Sequence, residues 1–313
     1  MALPSHVVVA GGGTAGWMAA NLLAHFWADK PVSVTLIESP DIGTVGVGEG
    51  STPTLRRFFD LLNTAESEWM PRCHATYKVN IRFRDWSPGS SVPEYSHPFI
   101  SQLDTFSERP FHVNCRTRRL GLDVITQPED FLFNGYLAKH NLAPVAPANF
   151  PFRMEYGYHF DSALLGEFLK ERAVSHGVVH RPLSISGVNK AENGNIASLT
   201  CDTGEVITGD FFIDCTGFRS LLLQQSLGVA FHSFKENLLN DSAVVIATSA
   251  MSPLPVETTS TALSAGWAWQ IPLTHRTGNG YVYSSAHLSK AQAEAELRQH
   301  LNVDKSVPAR HLT

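Results

Sequence analysis

His6-Val7-Val8-Val9-Ala10-Gly11-Gly12-Gly13-Thr14-Ala15-Gly16 runs from a β-branched stretch into a glycine cluster, and this junction decides the fold. The valines suit a buried strand, the residues from Trp17 to Trp27 carry apolar side chains at helical spacing, and Val32 to Glu38 reads as a second strand. A β-α-β opening of this kind belongs to the α/β class. The glycines at 11, 13 and 16 satisfy G-x-G-x-x-G between strand and helix, with Thr14 and Ala15 completing the loop. Gly11 permits the tight turn, Gly13 admits the backbone to a pyrophosphate, and Gly16 lets the helix pack closely on the strand. The free N–H groups of the helix start face the anion. Glu38 closes the second strand, where an acid accepts a ribose hydroxyl.

That motif alone does not separate NAD from FAD. Asp214-Cys215-Thr216-Gly217 follows a strand and resembles the D-x-x-G segment of the flavin monooxygenase superfamily, with Asp214 and Gly217 at its defined positions. Between the two nucleotide motifs, Thr52 and Pro53 are the expected N-cap and first position of a helix. Tyr77 to Arg84 alternates Tyr77, Val79, Ile81 and Phe83 with Lys78, Asn80, Arg82 and Arg84, the pattern of one strand with a polar face. The Pro-rich stretches Ser87 to Pro98 and Leu142 to Pro151 read as loops or lids, with a helix over Glu129 to Lys139. Asp161 is placed to cap a helix to His176. Strands are expected over Ser184 to Val188, Ile196 to Cys201 and Val206 to Ile213, the first two joined across Asn193-Gly194. Later strands are expected at Ala243 to Thr248, Trp267 to Leu273 and Tyr281 to Ser285, then a helix from Ser289 with Gln292 completing a capping box.

Composition narrows the function. With 43% apolar and 17% charged residues, 313 residues bury a large core. A net charge of −5 gives no basic face for nucleic acid or an anionic membrane, so small molecules are the expected partners. The four cysteines form no CxxC pair, and the histidines show no metal-site spacing, His176 and His180 included. No signal peptide or apolar membrane span is read, which fits a reducing cytoplasm.

Three further features resemble the flavin-dependent tryptophan halogenases, over nearly the whole chain. They are Gly46-Val47-Gly48-Glu49-Gly50-Ser51-Thr52-Pro53, similar to the family's strap over the flavin; Lys78; and Trp267-Ala268-Trp269-Gln270-Ile271-Pro272, which matches W-x-W-x-I-P. Without the family, Lys78 would read as a solvated strand residue and the two tryptophans as one face of an aromatic core. The resemblance implies a Rossmann-like three-layer fold for FAD, with an inserted β-meander and an interleaved substrate-binding region. FAD-binding elements are expected over about residues 1–60 and 155–225, and substrate-binding elements over about 70–150 and 226–300 of one incomplete unit.

The chemistry implied is halogenation of tryptophan or another indole-like aromatic. Reduced FAD, oxygen and chloride or bromide give hypohalous acid, which Lys78 delivers to one ring carbon. Trp267, Trp269, Ile271 and Pro272 would separate flavin from substrate, Gly48, Glu49 and Gly50 would strap the flavin, and Val188 would contact the adenine. His97 and Phe99 would pack on the substrate ring. A separate flavin reductase is implied, and a homodimer is a further expectation. The family's glutamate that partners the lysine, and its threonine-serine pair, match nothing through residue 313, so this chain is expected to be inactive alone. A flavin-dependent aromatic hydroxylase would share the fold and both nucleotide motifs, and a non-catalytic truncated FAD-binding protein is the third reading.

Overall fold

The computed structural model describes residues 3–43, Gly46 and 48–312; Val47 of the expected strap lies outside them. Two compact units form, one from Met1–Gly46, Leu62–Thr64 and Ser162–Ser233, the other from Val47–Leu61, Ala65–Asp161 and Phe234–Thr313.

In the first unit a parallel sheet has the strand order Phe211–Asp214, His6–Ala10, Ser33–Ile37, Val179–Arg181. Val7 to Ala10 are wholly buried because both sheet faces are covered. The helices Thr14–Phe26 and Ser162–Ser175 pack together, and buried Asn21 donates to the Leu169 carbonyl at 2.8 Å. Val8, Ala10 and Ile37 instead pack with Leu199, Cys201 and Ile207 of a three-stranded antiparallel meander, Ile185–Lys190, Ile196–Cys201 and Val206–Thr208. Helices, sheet and meander make the three layers. The expected strand Val206 to Ile213 is two strands in two sheets. Its break falls at Gly209-Asp210, where the Asp210 carboxylate accepts the Ser5 and His6 amides at 2.8 and 2.9 Å. Strand Val179–Arg181 was not expected, and it joins the sheet by only three residues.

The second unit holds a seven-stranded sheet in the order Ala309–Leu312, Ser242–Ser249, Arg276–Tyr283, Gly266–Pro272, Glu257–Leu263, Asn80–Arg84, Glu94–Pro98. Only Glu257–Leu263 and Asn80–Arg84 run parallel. Helix Lys290–Leu301 covers one face through Ala293 and Leu297, and the Ser289 and Gln292 capping box forms as expected. Half of the expected loop Ser87 to Pro98 is an edge strand, the position that tolerates proline. Helix Glu108–Arg119 was missed because it buries no residue and so carries no apolar stripe. The helix expected over Glu129 to Lys139 is a 3-10 turn, Pro128–Asp130, followed by helix Phe133–Lys139.

A smaller sheet of three strands, Glu49–Gly50, Gly157–Phe160 and Thr76–Lys78, completes this unit. The single strand expected over Tyr77 to Arg84 therefore breaks at Val79, whose amide bonds the Val256 carbonyl at 2.8 Å. One carboxylate secures the small sheet: Glu66 accepts the hydroxyls of Tyr77, Tyr156 and Tyr158 at 2.9, 2.8 and 2.7 Å. Among the described residues no helix is long and apolar enough to cross a membrane.

Burial first, and then the bond to Glu66, raises the pKa of all three phenols. The unfolded chain releases these protons near pH 10 while the folded chain keeps them, so this stabilisation is whole below pH 10 and drains away above it. Glu66→Gln is expected to cost about 2–4 kcal/mol at pH 7 in urea unfolding, as three bonds to an anion become bonds to a neutral amide. A loss under about 0.5 kcal/mol would contradict the anchoring role.

Candidate functional site

Two cavities carry the residues singled out by sequence, one in each unit. In the first unit, Gly11, Gly12, Gly13, Glu38, Cys215, Thr216 and Gly217 line a cleft of about 920 Å³ counting its open mouth. Gly11 adopts φ +108°, a conformation that needs glycine. A Cβ on Gly16 would strike the Gly11 carbonyl, and one on Gly12 would strike the Glu38 side chain, whereas one on Gly13 would meet nothing within 4 Å. Gly13 thus faces the open space that a diphosphate would take, as its motif requires. Lys170 pairs with Glu38 at 3.2 Å, and His180 Nε2 stands 3.0 Å from the same oxygen. Asp214 lies behind the cleft wall. It accepts the Thr216 amide and hydroxyl and the Leu222 and Leu223 amides, so it shapes the loop that Thr216 and Gly217 present. The Thr14 hydroxyl donates to the Ser162 carbonyl at 3.3 Å. Leu183, Ser184 and Ile185 line the cleft; Val188 packs against the hydrophobic cluster under the meander.

In the second unit, Gly48, Glu49, Gly50, Lys78, Ile81, Phe83, Trp86, Thr258, Ser260, Trp267, Trp269, Ile271 and Val282 surround a cavity of about 1180 Å³ counting its mouth. One wall is a face of the seven-stranded sheet, and Glu49, Gly50 and Lys78 come from the smaller sheet. Trp267 and Trp269 sit two residues apart on strand Gly266–Pro272, with ring centroids 6.1 Å apart, and Ala268 points to the opposite core. Gly280 lies across from Trp269, and a Cβ there would overlap the indole. Ile81 and Phe83 pair with Thr258 and Ser260 on the neighbouring strand, so all four share this face.

Strict alternation would set Lys78 with Asn80 and Arg82. The break at Val79 removes it from that row: Lys78 lines the aromatic cavity, while Asn80 and Arg82 bond the Glu257 carboxylate at 2.6 and 2.8 Å. Two residues of that polar face are also not solvated, Asn80 at 0% and Arg82 at 9% exposed, while Arg84 at the strand end is exposed. Arg82 satisfies its charge with Glu257 and Glu129. Lys78 is 6% exposed, and its Nζ stands 5.7 Å from the centre of the Phe99 ring. Burial without a carboxylate lowers its pKa from the ordinary value near 10.5 to about 8. About a tenth of the amine is then free at pH 7, far more than for a lysine with the ordinary pKa.

Ile271 lines the same cavity, and the Pro272 carbonyl accepts the Thr76 hydroxyl at 2.7 Å. His97 is exposed on the edge strand opposite Ile81, on the cavity's sheet face, with its ring 6.3 Å from Phe83. Glu49 is partly buried in the cavity, and burial, then the charge of Asp161, raises its pKa. Asp161 itself pairs with Arg276 at 2.9 Å. Thr258, Ser260 and Trp86 were not anticipated, nor was the wholly buried His159 beside them. Strands Glu257–Leu263 and Gly157–Phe160 were not expected, and it is their pairing in the sheets that brings Thr258, Ser260 and His159 inward.

A family model described as Tryptophan halogenase matches residues 6–313. The chain is 38% identical to Tryptophan 6-halogenase SttH of Streptomyces toxytricini, over 99% of this chain and 63% of that protein. It is 40% identical to 7-chloro-L-tryptophan 6-halogenase KtzR of Kutzneria sp. (strain 744), over 94% of this chain and 60% of that one. The solved flavin-dependent halogenase from Xanthomonas campestris superimposes with a TM-score of 0.87 at 36% identity, covering 99% of this chain and 62% of that chain. The chain spans about three-fifths of the length of these relatives.

The lowered Lys78 pKa makes a stability prediction. Between pH 8 and 10.5 the unfolded chain binds the extra proton, so stability rises with pH through that window and the cost of burial is full below pH 8. Lys78→Met is therefore expected to be more stable than the parent at pH 7, by up to about 3 kcal/mol, with the difference fading toward pH 10.5. Chemical unfolding at both pH values checks this, and a difference independent of pH would contradict it.

Proposed function

Because this chain belongs to the tryptophan halogenase family, we propose that it contributes the FAD site and the halogen-delivering amine of a flavin-dependent halogenase acting on tryptophan or another indole-like aromatic. The observation that carries this is a single buried amine, Lys78, set among Trp267, Trp269, Trp86 and Phe83 in a cavity rimmed by Gly48, Glu49 and Gly50. Gly11, Gly13, Thr14, Ala15 and Gly16 would hold the FAD diphosphate, Glu38 its ribose, and Thr216 and Gly217, kept in shape by Asp214, the facing side. The open space at Gly13 fits a diphosphate. When bound, reduced FAD, with oxygen, supplies the oxidation that turns chloride or bromide into hypohalous acid. A separate flavin reductase would furnish the reduced form.

Lys78 does the rest. As the free amine it takes the halogen from hypohalous acid, forming an N–X bond as O–X breaks and water leaves. As the ammonium it donates to the oxygen of that acid and makes the halogen more electrophilic. Either way the ring carbon gains the halogen and loses its proton. Regiochemistry follows from holding one carbon against one nitrogen. The aromatic walls exclude water and bind a flat indole by its faces. Trp267, Trp269 and Ile271 would keep that ring away from the flavin, Pro272 would fix the end of their strand, and Phe99 and His97 would bear on the substrate.

The test uses this chain joined to the segment by which a relative such as KtzR is longer, supplied with FAD, a reductase, oxygen, bromide and tryptophan. Brominated tryptophan is expected, with at least a hundredfold loss in Lys78→Ala while FAD binding is retained. A hydroxylated product that forms without bromide would favour a hydroxylase, and failure to bind FAD would favour a non-catalytic protein.

A further inference from the structure

Behind Lys78 runs a chain of buried hydrogen bonds that the halogenation reading does not use. Thr76 Oγ1 donates to the Pro272 carbonyl at 2.7 Å and lies 2.9 Å from His159 Nδ1. His159 Nε2 lies 2.9 Å from Thr258 Oγ1. Thr258 lines the cavity with Lys78. Thr76, His159 and Thr258 are 8%, 0% and 8% exposed, so water does not complete their valences.

The chain has one direction. A backbone carbonyl only accepts, so the single hydroxyl proton of Thr76 is committed to Pro272. The Thr76 oxygen must then accept from His159, which places the imidazole proton on Nδ1. Burial, and next the nearby charge of Lys78, hold the His159 pKa well below its usual value, so the ring is neutral and Nε2 carries no proton. Thr258 must donate to that nitrogen. Its hydroxyl proton is thereby spent, and only oxygen lone pairs remain for the cavity.

Gly50 shows how near the amine is. A Cβ on Gly50 would stand 3.1 Å from Lys78 Nζ, 3.4 Å from Thr258 Oγ1 and 3.6 Å from His159 Cδ2, so the three groups converge on one point of the strap. Glu49 is the one carboxylate lining this cavity among the described residues.

We propose that Thr258, polarised by His159 and Thr76, is a positioning residue for Lys78: its oxygen accepts the amine N–H and aims the nitrogen during halogen transfer. This rests on Lys78 as the delivering group and adds the residue that orients it. Thr258 acts through the lysine. Thr76 acts at one further remove, by fixing the histidine tautomer. If Thr76 loses its hydroxyl, the imidazole proton moves to Nε2, Thr258 turns acceptor toward the ring, and its own proton faces the amine.

The experiment is NMR titration of the 13Cε resonance of Lys78 in the 313-residue protein, assigned by its loss in Lys78→Arg. Removing the acceptor in Thr258→Ala is expected to lower the midpoint by roughly one pH unit, and Thr258→Ser to restore it. Thr76→Ala is expected to lower it too, although Thr76 makes no contact of its own with the amine, and it serves where Thr258→Ala does not fold. An unchanged midpoint in both alanine variants would overturn the proposal, as would a fall in Thr258→Ser equal to that in Thr258→Ala. The readout is independent of turnover. Midpoints that move as expected in a protein whose halogenation does not need Lys78 would support the hydrogen-bond chain while removing the delivery role.

Discussion

Three phenol hydroxyls converge on the Glu66 carboxylate, and the placement of the amine depends on them. Tyr77 immediately precedes Lys78, and Tyr158 immediately precedes His159. Along a strand successive side chains face opposite ways, so locking the two tyrosines on one face holds the lysine and the histidine on the other. Strand Gly157–Phe160 also pairs with Glu49–Gly50, which carries the same constraint to the strap glycine. One carboxylate thus fixes three separate parts of the chain around a cavity. Arg56, 4.4 Å above the Tyr156 ring, adds a cation to that network.

Among the described residues the second unit buries two cations, by opposite means. Arg82 lies among Glu257, Glu129 and Glu94, where ion pairs compensate its desolvation. Lys78 has no such pairing among the described residues, and burial lowers its affinity for the proton. A paired guanidinium serves structure. An unpaired buried amine costs stability, which has to be offset elsewhere in the fold. The aromatic walls contribute to that offset by burying apolar area, with Gly280 giving Trp269 the room to lie flat on the strand.

The first unit was legible because its constraints are local. A strand, a glycine turn and a helix are contiguous in sequence, and two of the glycines have local reasons: Gly11 takes a positive φ, and a Cβ on Gly16 would strike the Gly11 carbonyl. Lys78 and Trp267 to Pro272 were marked by family resemblance. Bare periodicity would have misled at Lys78, because the break at Val79 is made by a bond to Val256, far along the chain. Thr258 and His159 left no mark for a similar reason. Their meaning comes from a parallel pairing of strands some 180 residues apart and from a tautomer that only the Pro272 carbonyl defines. Helix Glu108–Arg119 was illegible because nothing in it is buried.

If Lys78 takes the electrophilic halogen, as proposed, direct titration of the protein with hypochlorous acid shows it without flavin. Each amine chlorinated gains an N–Cl bond and releases water, so peptide mass analysis after thiol blocking reads the site of reaction. At pH 8 Lys78, about half of it free amine, is expected to be chlorinated ahead of exposed lysines such as Lys139 and Lys235. Chlorination spread over the exposed lysines, with Lys78 intact, would contradict it.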